Sequence, residues 1–551
     1  MLEGFTPWPK DLAERYRRHG YWRDRTLGEH LDEWVEAYGH RVAIVSGDQR
    51  VTYLALRQRV DRLALHLLQL GLAPGDRIVV QLGNVPEFVY LYFACVRIGV
   101  LPVMALPSHR FAELSYLANF SRATAYAAPA RLRGFDYSQL VREVREAAPT
   151  IRCVLVVGEA DGEVDGKAIS FAHLLADPIE QRQSPDRLAA VRPDPADVAL
   201  FLLSGGTTGL PKLIPRTHND YEYNSRASGA VCGIGSETVY LVVLPISHNF
   251  PLASPGLQSV LQAGGTVVLT DSTEPTDAFG LIERARVTHT ALVPALAIRW
   301  MEAPDRERFD LSSLRVLQVG GAKLNAEPAR RIRPTLGCQL QQVFGMAEGL
   351  LNYTRLEDPE MAIVETQGRP CSPDDEVRVV DDEDRDVSPG EPGHLLTRGP
   401  YTIRGYWNAP EHNRRAFTVD GYYRTGDVVR LDRDGNLIVE GREKDMINRG
   451  GEKISAEEIE NLILGHPCVS NVAVVAMPDT ILGERSCAYV IPKPGASLTL
   501  QELVSFLEQQ RIATFKLPER LELVESFPMT SVGKVSKKEL REDIFRKLQG
   551  L

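Results

Sequence analysis

A chain of 551 residues is longer than one hydrophobic core serves, so three or four packed units are expected, and 44% hydrophobic with 25% charged residues excludes a disordered or fibrous protein. The balance of 63 basic against 73 acidic residues leaves a net charge of -10, which argues against nucleic acid or an anionic membrane as partner. The 7 cysteines are odd in number, scattered and never in a CxxC pair, so they read as buried thiols of a reduced compartment rather than as a disulfide framework or zinc site.

The opening stretch MLEGFTPWPKDLAERYRRHGYW has no apolar run behind a basic head, so no signal peptide is expected and a cytoplasmic enzyme fits. FVYLYFACVRIGVLPVMALP, Phe88 to Pro107, has the ~20 residues that a membrane span needs. Arg97, Gly99 and Pro102 break it, and the pattern predicts a buried helix followed by a buried strand. From about Arg77 to Phe344 the apolar runs RIVVQL, VLVV, VALFLL, VYLVVL, TVVLT, HTALV, LRVLQVG and CQLQQVF alternate with helical segments such as TDAFGLIERARV and AEPARRIRPTL. Strands this apolar are expected in parallel sheets covered on both faces, which predicts an α/β fold with two doubly wound βαβ subdomains.

From about Gln367 the texture changes. EVRVVDDEDRDVSPGEPGHLLTRG and DVVRLDRDGNLIVEGR alternate polar and apolar residues around DDEDRD and DRDGN, the pattern of antiparallel hairpins. This β-rich subdomain is expected to close an N-terminal domain of residues 1–443. Residues 444–551 read as helix (Ser455 to Leu464), strands (Val469 to Ala476, Cys487 to Ile491), helix (Leu500 to Gln510) and closing helix (Lys537 to Leu548). That is a small α+β domain of ordinary size.

The strand VALFLL runs into SGGTTGLPK, Ser204 to Lys212. Gly205, Gly206 and Gly209 let the backbone turn its amides toward a ligand, Ser204, Thr207 and Thr208 add hydroxyls, and Lys212 adds positive charge. These are the parts of a polyphosphate cradle. The lysine follows Leu-Pro, so the run is not the GxxxxGK[ST] of P-loop enzymes, and its blander reading is a Gly-rich surface loop.

The loop resembles the signature loop of the adenylate-forming superfamily: acyl-CoA synthetases, luciferases and the adenylation domains of peptide synthetases. FGMAE (Phe344 to Glu348), TRGP (Thr397 to Pro400), YRTGD (Tyr423 to Asp427), GREKDMINRGGEKI (Gly441 to Ile454) and PMTSVGK (Pro528 to Lys534) follow in that superfamily's order, so the likeness spans almost the whole chain. The resemblance implies ATP and Mg²⁺ as cofactors. It implies that Glu348 ligates magnesium, that Asp427 grips the ribose with Arg442 beside it, and that Gly320, Gly321 and Ala322 admit the adenine ring. Val343, Gly345, Met346 and Ala347 would line the nucleotide, Ala347 standing where the superfamily often has Thr. Lys534 would reach in from the C-terminal domain to bridge the carboxylate and α-phosphate. Thioester formation would then need that domain, a mobile lid, to rotate about a hinge at Lys444, with Asn448, Arg449, Gly450 and Gly451 along the thiol channel.

ISHNFPLASPG, Ile246 to Gly256, resembles the aryl-acid branch, specifically the 2,3-dihydroxybenzoate:AMP ligases of catechol siderophore pathways. The likeness places His248 near the carboxylate, Phe250 against the ring and Asn249 on the 2-hydroxyl. Amino-acid-activating relatives carry Asp where Asn249 stands, so an α-amino acid here would bury an unpaired ammonium. Ser254 suits a ring 3-hydroxyl, whereas Leu351 resembles salicylate enzymes. The expected substrate is 2,3-dihydroxybenzoate with salicylate tolerated, and a salicylate-AMP ligase is the alternative. The expected acceptor is the phosphopantetheine thiol of an aryl carrier protein; an aryl-CoA ligase releasing free CoA thioester would use the same machinery.

Overall fold

Two sheets with parallel interiors organise the chain as far as Pro370. The computed structural model describes residues 1–158, 168–204, 211–449, 452–479, 482–510, 514–530 and 534–549. One sheet of 7 strands runs Leu213–Thr217, Val198–Leu203, Leu101–Met104, Arg77–Val80, Ala125–Pro129, Cys153–Val157 and Ala168–Ser170. The other, of 9 strands, runs Arg369–Pro370, Gly349–Tyr353, Gln339–Met346, Val316–Val319, His289–Leu292, Val239–Val242, Thr266–Leu269, Val42–Ser46 and Gln49–Thr52.

The doubly wound expectation holds inside both sheets, and antiparallel pairs finish one end of the first and both ends of the second. Val198–Leu203 pairs antiparallel with Leu213–Thr217, and Gln339–Met346 antiparallel with Gly349–Tyr353. Their connections, residues 204–212 and 347–348, are shorter than the ~dozen residues a parallel crossover requires. Ser204 and Lys212, at the two ends of the Gly-rich run, and the hairpin bend Ala347-Glu348 line one cleft.

The apolar run from Phe88 becomes a buried helix, Pro86–Arg97, and a buried strand, Leu101–Met104. Pro86 at the first turn pre-sets helical φ, and Gly99 at φ 70° ends the run. The helix is buried among Trp34, Val60 and Leu63 in the largest core, with Trp34 edge-on to Phe93 at 6.0 Å. Among the described residues no helix is long and apolar enough to cross a membrane. Five cysteines are buried, and Cys371 and Cys468 are only partly so.

Beyond Gln367, strands Glu376–Val380, Gly393–Arg398, Tyr423–Leu431 and Leu437–Arg442 form one antiparallel sheet. The two acidic turns close as the sequence predicts: Asp381 accepts the backbone N–H of Glu383 and Arg385 at 2.9 and 3.0 Å, and Asp432 those of Asp434 and Asn436 at 2.9 and 2.8 Å. From Ile447 onward, strands Val469–Asp479 and Gly483–Pro492 form a long hairpin covered by helices Ala456–Leu464, Leu500–Gln509 and Lys537–Leu548. Ser455 caps the first of these helices, accepting the Glu458 N–H at 3.2 Å.

Candidate active site

A cleft of about 1470 Å³ opens between the C-terminal ends of the parallel strands, the antiparallel sheet and the unit beyond Ile447. One wall begins where Val239–Val242 leads into the short helix Asn249–Ala253. His248 caps that helix, its Nδ1 accepting the Phe250 N–H at 3.3 Å. Burial, and after it the charge of Lys534, holds the imidazole pKa at about 4. The ring is therefore neutral near pH 7, and with Nδ1 accepting, its proton sits on Nε2.

Asn249, Phe250, Ser254 and Leu351 meet at this wall, all buried. Tyr221 donates its hydroxyl proton to Asn249 Oδ1 at 3.0 Å, and Asn249 Nδ2 donates to Ser254 Oγ at 3.1 Å. Gly320 stands directly behind: a Cβ there would lie 3.0 Å from Phe250 Cε1 and 3.0 Å from Val343 Cβ, so a side chain would press on both the aromatic wall and the strand. The pocket has polar groups at its floor and no charged side chain among these four residues.

The opposite wall is acidic and basic by turns. Asp427, buried in Tyr423–Leu431, lies in register with Arg442 on the neighbouring strand, and Arg442 Nε contacts Asp427 Oδ1 at 2.6 Å. Burial raises the Asp427 pKa and the guanidinium opposes that rise. Its Oδ2 has no hydrogen-bond partner among the described residues. A buried carboxylate oxygen left bare costs about 1 to 3 kcal/mol, more when charged, which a ligand hydroxyl would recover. Glu348, in the hairpin bend, accepts the Tyr406 hydroxyl at 2.8 Å, and Tyr406 bonds Tyr423 at 2.9 Å. Lys212 lies 5.7 Å from the centre of the Tyr406 ring. Ser204 and Lys212 clasp the ends of the Gly-rich loop, Ser204 N–H to Lys212 O and Lys212 N–H to Ser204 Oγ, both at 3.0 Å. Gly205, Gly206, Thr207, Thr208 and Gly209 lie outside the described residues. No group of three or more His, Cys, Asp or Glu side chains among the described residues is placed to hold a metal ion.

Lys534 enters the cleft from the C-terminal unit. A Cβ on Gly321, whose φ is 81°, would lie 3.4 Å from Lys534 Cε and 3.9 Å from Nζ, and the lysine charge is felt at both His248 and Asp427. Thr530 N–H donates to Lys534 O at 2.6 Å, and the Thr530 hydroxyl accepts the Lys534 N–H at 3.1 Å. This arrangement is docked by further contacts: Ser455 Oγ donates to Glu440 O, and Asn461 Oδ1 accepts the Ala326 N–H at 3.2 Å, capping a helix of the other unit. Gly321, Ala322, Val343, Gly345, Met346 and Ala347 line the same cleft. Lys444 falls in the 3₁₀ turn Glu443–Asp445 immediately after Arg442. Arg449 is held by Glu519 at 2.7 Å, and Gly450 and Gly451 lie outside the described residues.

Residues that no motif marked stand just behind the aromatic wall. Arg216, fully buried, donates from Nε to Asp220 at 2.6 Å, from Nη1 to Ala347 O at 2.9 Å, and from Nη2 to Tyr401 O at 3.2 Å and Asn224 Oδ1 at 3.3 Å. It thereby ties the bend that carries Glu348 to the helix His218–Val231, which also bears Tyr221. The available signal was the run RTHNDYEYN, polar throughout yet following an apolar strand.

The fold and the site together define a two-part α/β enzyme whose chemistry lies where its parts meet. The family of AMP-binding enzymes matches residues 31–407, and the AMP-binding enzyme C-terminal domain matches residues 458–534. The chain belongs to the AMP-binding enzyme family. It is 55% identical over 548 residues to the 2,3-dihydroxybenzoate-AMP ligase of Bacillus subtilis (strain 168), covering 100% of this chain and 99% of that one. A salicylyl-CoA synthase / salicylate adenylyltransferase of a Streptomyces species is 56% identical over 541 residues, 98% of this chain and 97% of its own. Among solved structures, the apo form of MbtA from Mycobacterium smegmatis is 46% identical with TM-score 0.74, covering 98% of each chain.

Proposed function

We propose that this enzyme activates 2,3-dihydroxybenzoate with ATP to the aryl adenylate, releasing pyrophosphate, and passes the aryl group to the phosphopantetheine thiol of an aryl carrier protein in the cytoplasm, as a step of siderophore assembly. The observation that carries this reading is Lys534 reaching a cleft with two unlike walls: an uncharged pocket of Asn249, Phe250, Ser254 and Leu351, and an acid, Asp427, with a bare buried oxygen.

The aryl carboxylate lies between His248 and Lys534. Nε2–H of the neutral imidazole and the lysine ammonium orient its oxygens, and the ammonium balances charge that gathers as the carboxylate attacks the α-phosphorus. Asp427 accepts the ribose hydroxyls, one of them at its bare Oδ2, while Arg442 opposes the rise that burial imposes on its pKa. Gly320 and Gly321 let the adenine ring approach flat, with Ala322, Val343, Gly345 and Met346 around it. Ser204, Thr207, Thr208 and Lys212 hold the departing phosphates with the amides of Gly205, Gly206 and Gly209. Glu348 is a hard oxygen beside them; one carboxylate with substrate phosphates suits Mg²⁺, which would neutralise charge on the leaving pyrophosphate. For the thiol step, the unit beyond Lys444 turns about that residue, withdrawing Lys534 and bringing Gly450 and Gly451 to the path of the incoming thiol.

The test is ATP–pyrophosphate exchange with 2,3-dihydroxybenzoate, salicylate, benzoate, a fatty acid and an amino acid panel. The highest kcat/KM is expected with 2,3-dihydroxybenzoate, salicylate next. A higher value for salicylate would favour the second reading, a salicylate-AMP ligase, which Leu351 and the Streptomyces relative support; exchange with no arene acid would sink both.

A further inference from the structure

We propose that Asn224, which does not line the cleft, decides the hydrogen-bonding sense of the aryl pocket by locking Ser254 as a donor, so that the acid is selected for a hydrogen-bond acceptor on the ring carbon next to its 2-hydroxyl. The inference rests on the aryl-acid reading above and deepens it.

The argument turns on which way the Asn224 carboxamide points. Arg216 has only donors to offer, and its Nη2 meets Oδ1 of Asn224 at 3.3 Å. The Ala253 carbonyl can only accept, and it receives Asn224 Nδ2 at 2.6 Å. Both contacts fix the same orientation. Nδ2 of Asn224 is then also the donor to Ser254 Oγ at 3.2 Å. From the other side Asn249 Nδ2 donates to the same oxygen at 3.1 Å, its own Oδ1 being occupied by the Tyr221 hydroxyl. A serine hydroxyl accepts two hydrogen bonds and donates one. With both acceptor positions of Ser254 filled, what remains for a ligand in the cleft that Ser254 lines is its proton. The lock is stiff because Asn224 and Arg216 are fully buried and Arg216 is itself held by Asp220 at 2.6 Å.

The test measures kcat/KM in ATP–pyrophosphate exchange for 2,3-dihydroxybenzoate, 3-amino-2-hydroxybenzoate and salicylate. An aniline nitrogen is a poor acceptor whose N–H groups oppose the serine proton, so the wild type is expected to prefer the hydroxyl over the amino acid by about tenfold or more. Asn224→Asp keeps size and the Arg216 contact but replaces the donor with an acceptor, at the cost of the bond to the Ala253 carbonyl, a loss that bears on all three acids alike. The Ser254 proton turns to that acceptor and a lone pair faces the ring, so the hydroxyl-to-amino ratio is expected to fall about tenfold, with salicylate kept within about threefold. In a Ser254→Ala background the same change is expected to leave the ratio alone. An unchanged ratio in the single variant overturns the inference, as does an equal fall for all three acids, or a shift that persists without Ser254. Should Asn224→Asp fail to fold, Asn224→Ala carries the test, with a fall of about threefold expected. Wild-type enzyme that exchanges with no arene acid overturns the aryl-acid reading first, before any variant is made.

Discussion

On the aryl side of the cleft, Asn224, Asn249, Ser254 and Tyr221 bond one another across two neighbouring helices and the residue that ends one of them, and every one of them is buried. On the nucleotide side the groups come from two sheets and two units: Glu348 from a hairpin bend, Asp427 and Arg442 from the β-rich sheet, Lys534 from the C-terminal unit beyond it. The first wall is complete as it stands, whereas the second has a bare oxygen on Asp427 and depends on how the C-terminal unit is docked. Selectivity for the acid should therefore be a property of one rigid wall, and rate a property of assembly.

The largest effect that tests this division is on Lys534. Lys534→Ala is expected to lower pyrophosphate exchange by roughly 10²-fold or more, the scale of removing one preorganised charge donor, while the preference between 2,3-dihydroxybenzoate and salicylate stays within about twofold. A changed preference would show that the two walls are not independent. Next in size is Tyr221→Phe, which removes the donor that orients Asn249 and so is expected to raise KM for the aryl acid about fivefold, the worth of one hydrogen bond, with KM for ATP unmoved. Steady-state kinetics with each substrate varied in turn separate those two constants.

The smallest effect is on stability. The folded pKa of His248, about 4, lies below the ordinary histidine value of 6.5. The unfolded chain thus binds more protons between those values, so the contribution is whole above pH 6.5 and is lost as pH falls toward 4. Replacing His248 with Gln removes that titration. The wild-type advantage in unfolding free energy over His248→Gln is expected to shrink by about 1 kcal/mol between pH 7 and pH 4.5, after allowing for solvent screening at this partly exposed ring. Urea melts at the two pH values read it directly.

Much of this architecture was legible in the sequence because the relevant signals are local. The closing helix Lys537–Leu548 and the helix Ala326–Leu336 begin and end where their patterns do, since caps and apolar periodicity are written in neighbouring residues. The strand Ala125–Pro129 was not expected: AYAAP is small and alanine-rich, and it becomes a strand because the sheet has room for it between Arg77–Val80 and Cys153–Val157. Leu213–Thr217, with Pro215 and Arg216, is not among the strands the apolar pattern picks out, yet it pairs antiparallel with Val198–Leu203. The roles of Tyr221, Asn224 and Arg216 were hidden for a related reason. A polar residue on a helix is ordinarily solvated, and nothing nearby in the chain reveals that its partners are Asn249, Ser254 and the Ala347 carbonyl.

The register that sets Asp427 opposite Arg442 has a mechanical consequence. Arg442 is the last residue of its strand, and the turn Glu443–Asp445 follows at once, so under the proposed roles the group that steadies the Asp427 carboxylate sits on the same short lever as the proposed pivot. Twisting that lever tugs on the clasp, and a filled clasp resists the twist by an equal free energy. In the proposed mechanism, nucleotide departure and the swing of the smaller body would then be coupled like a latch and its door.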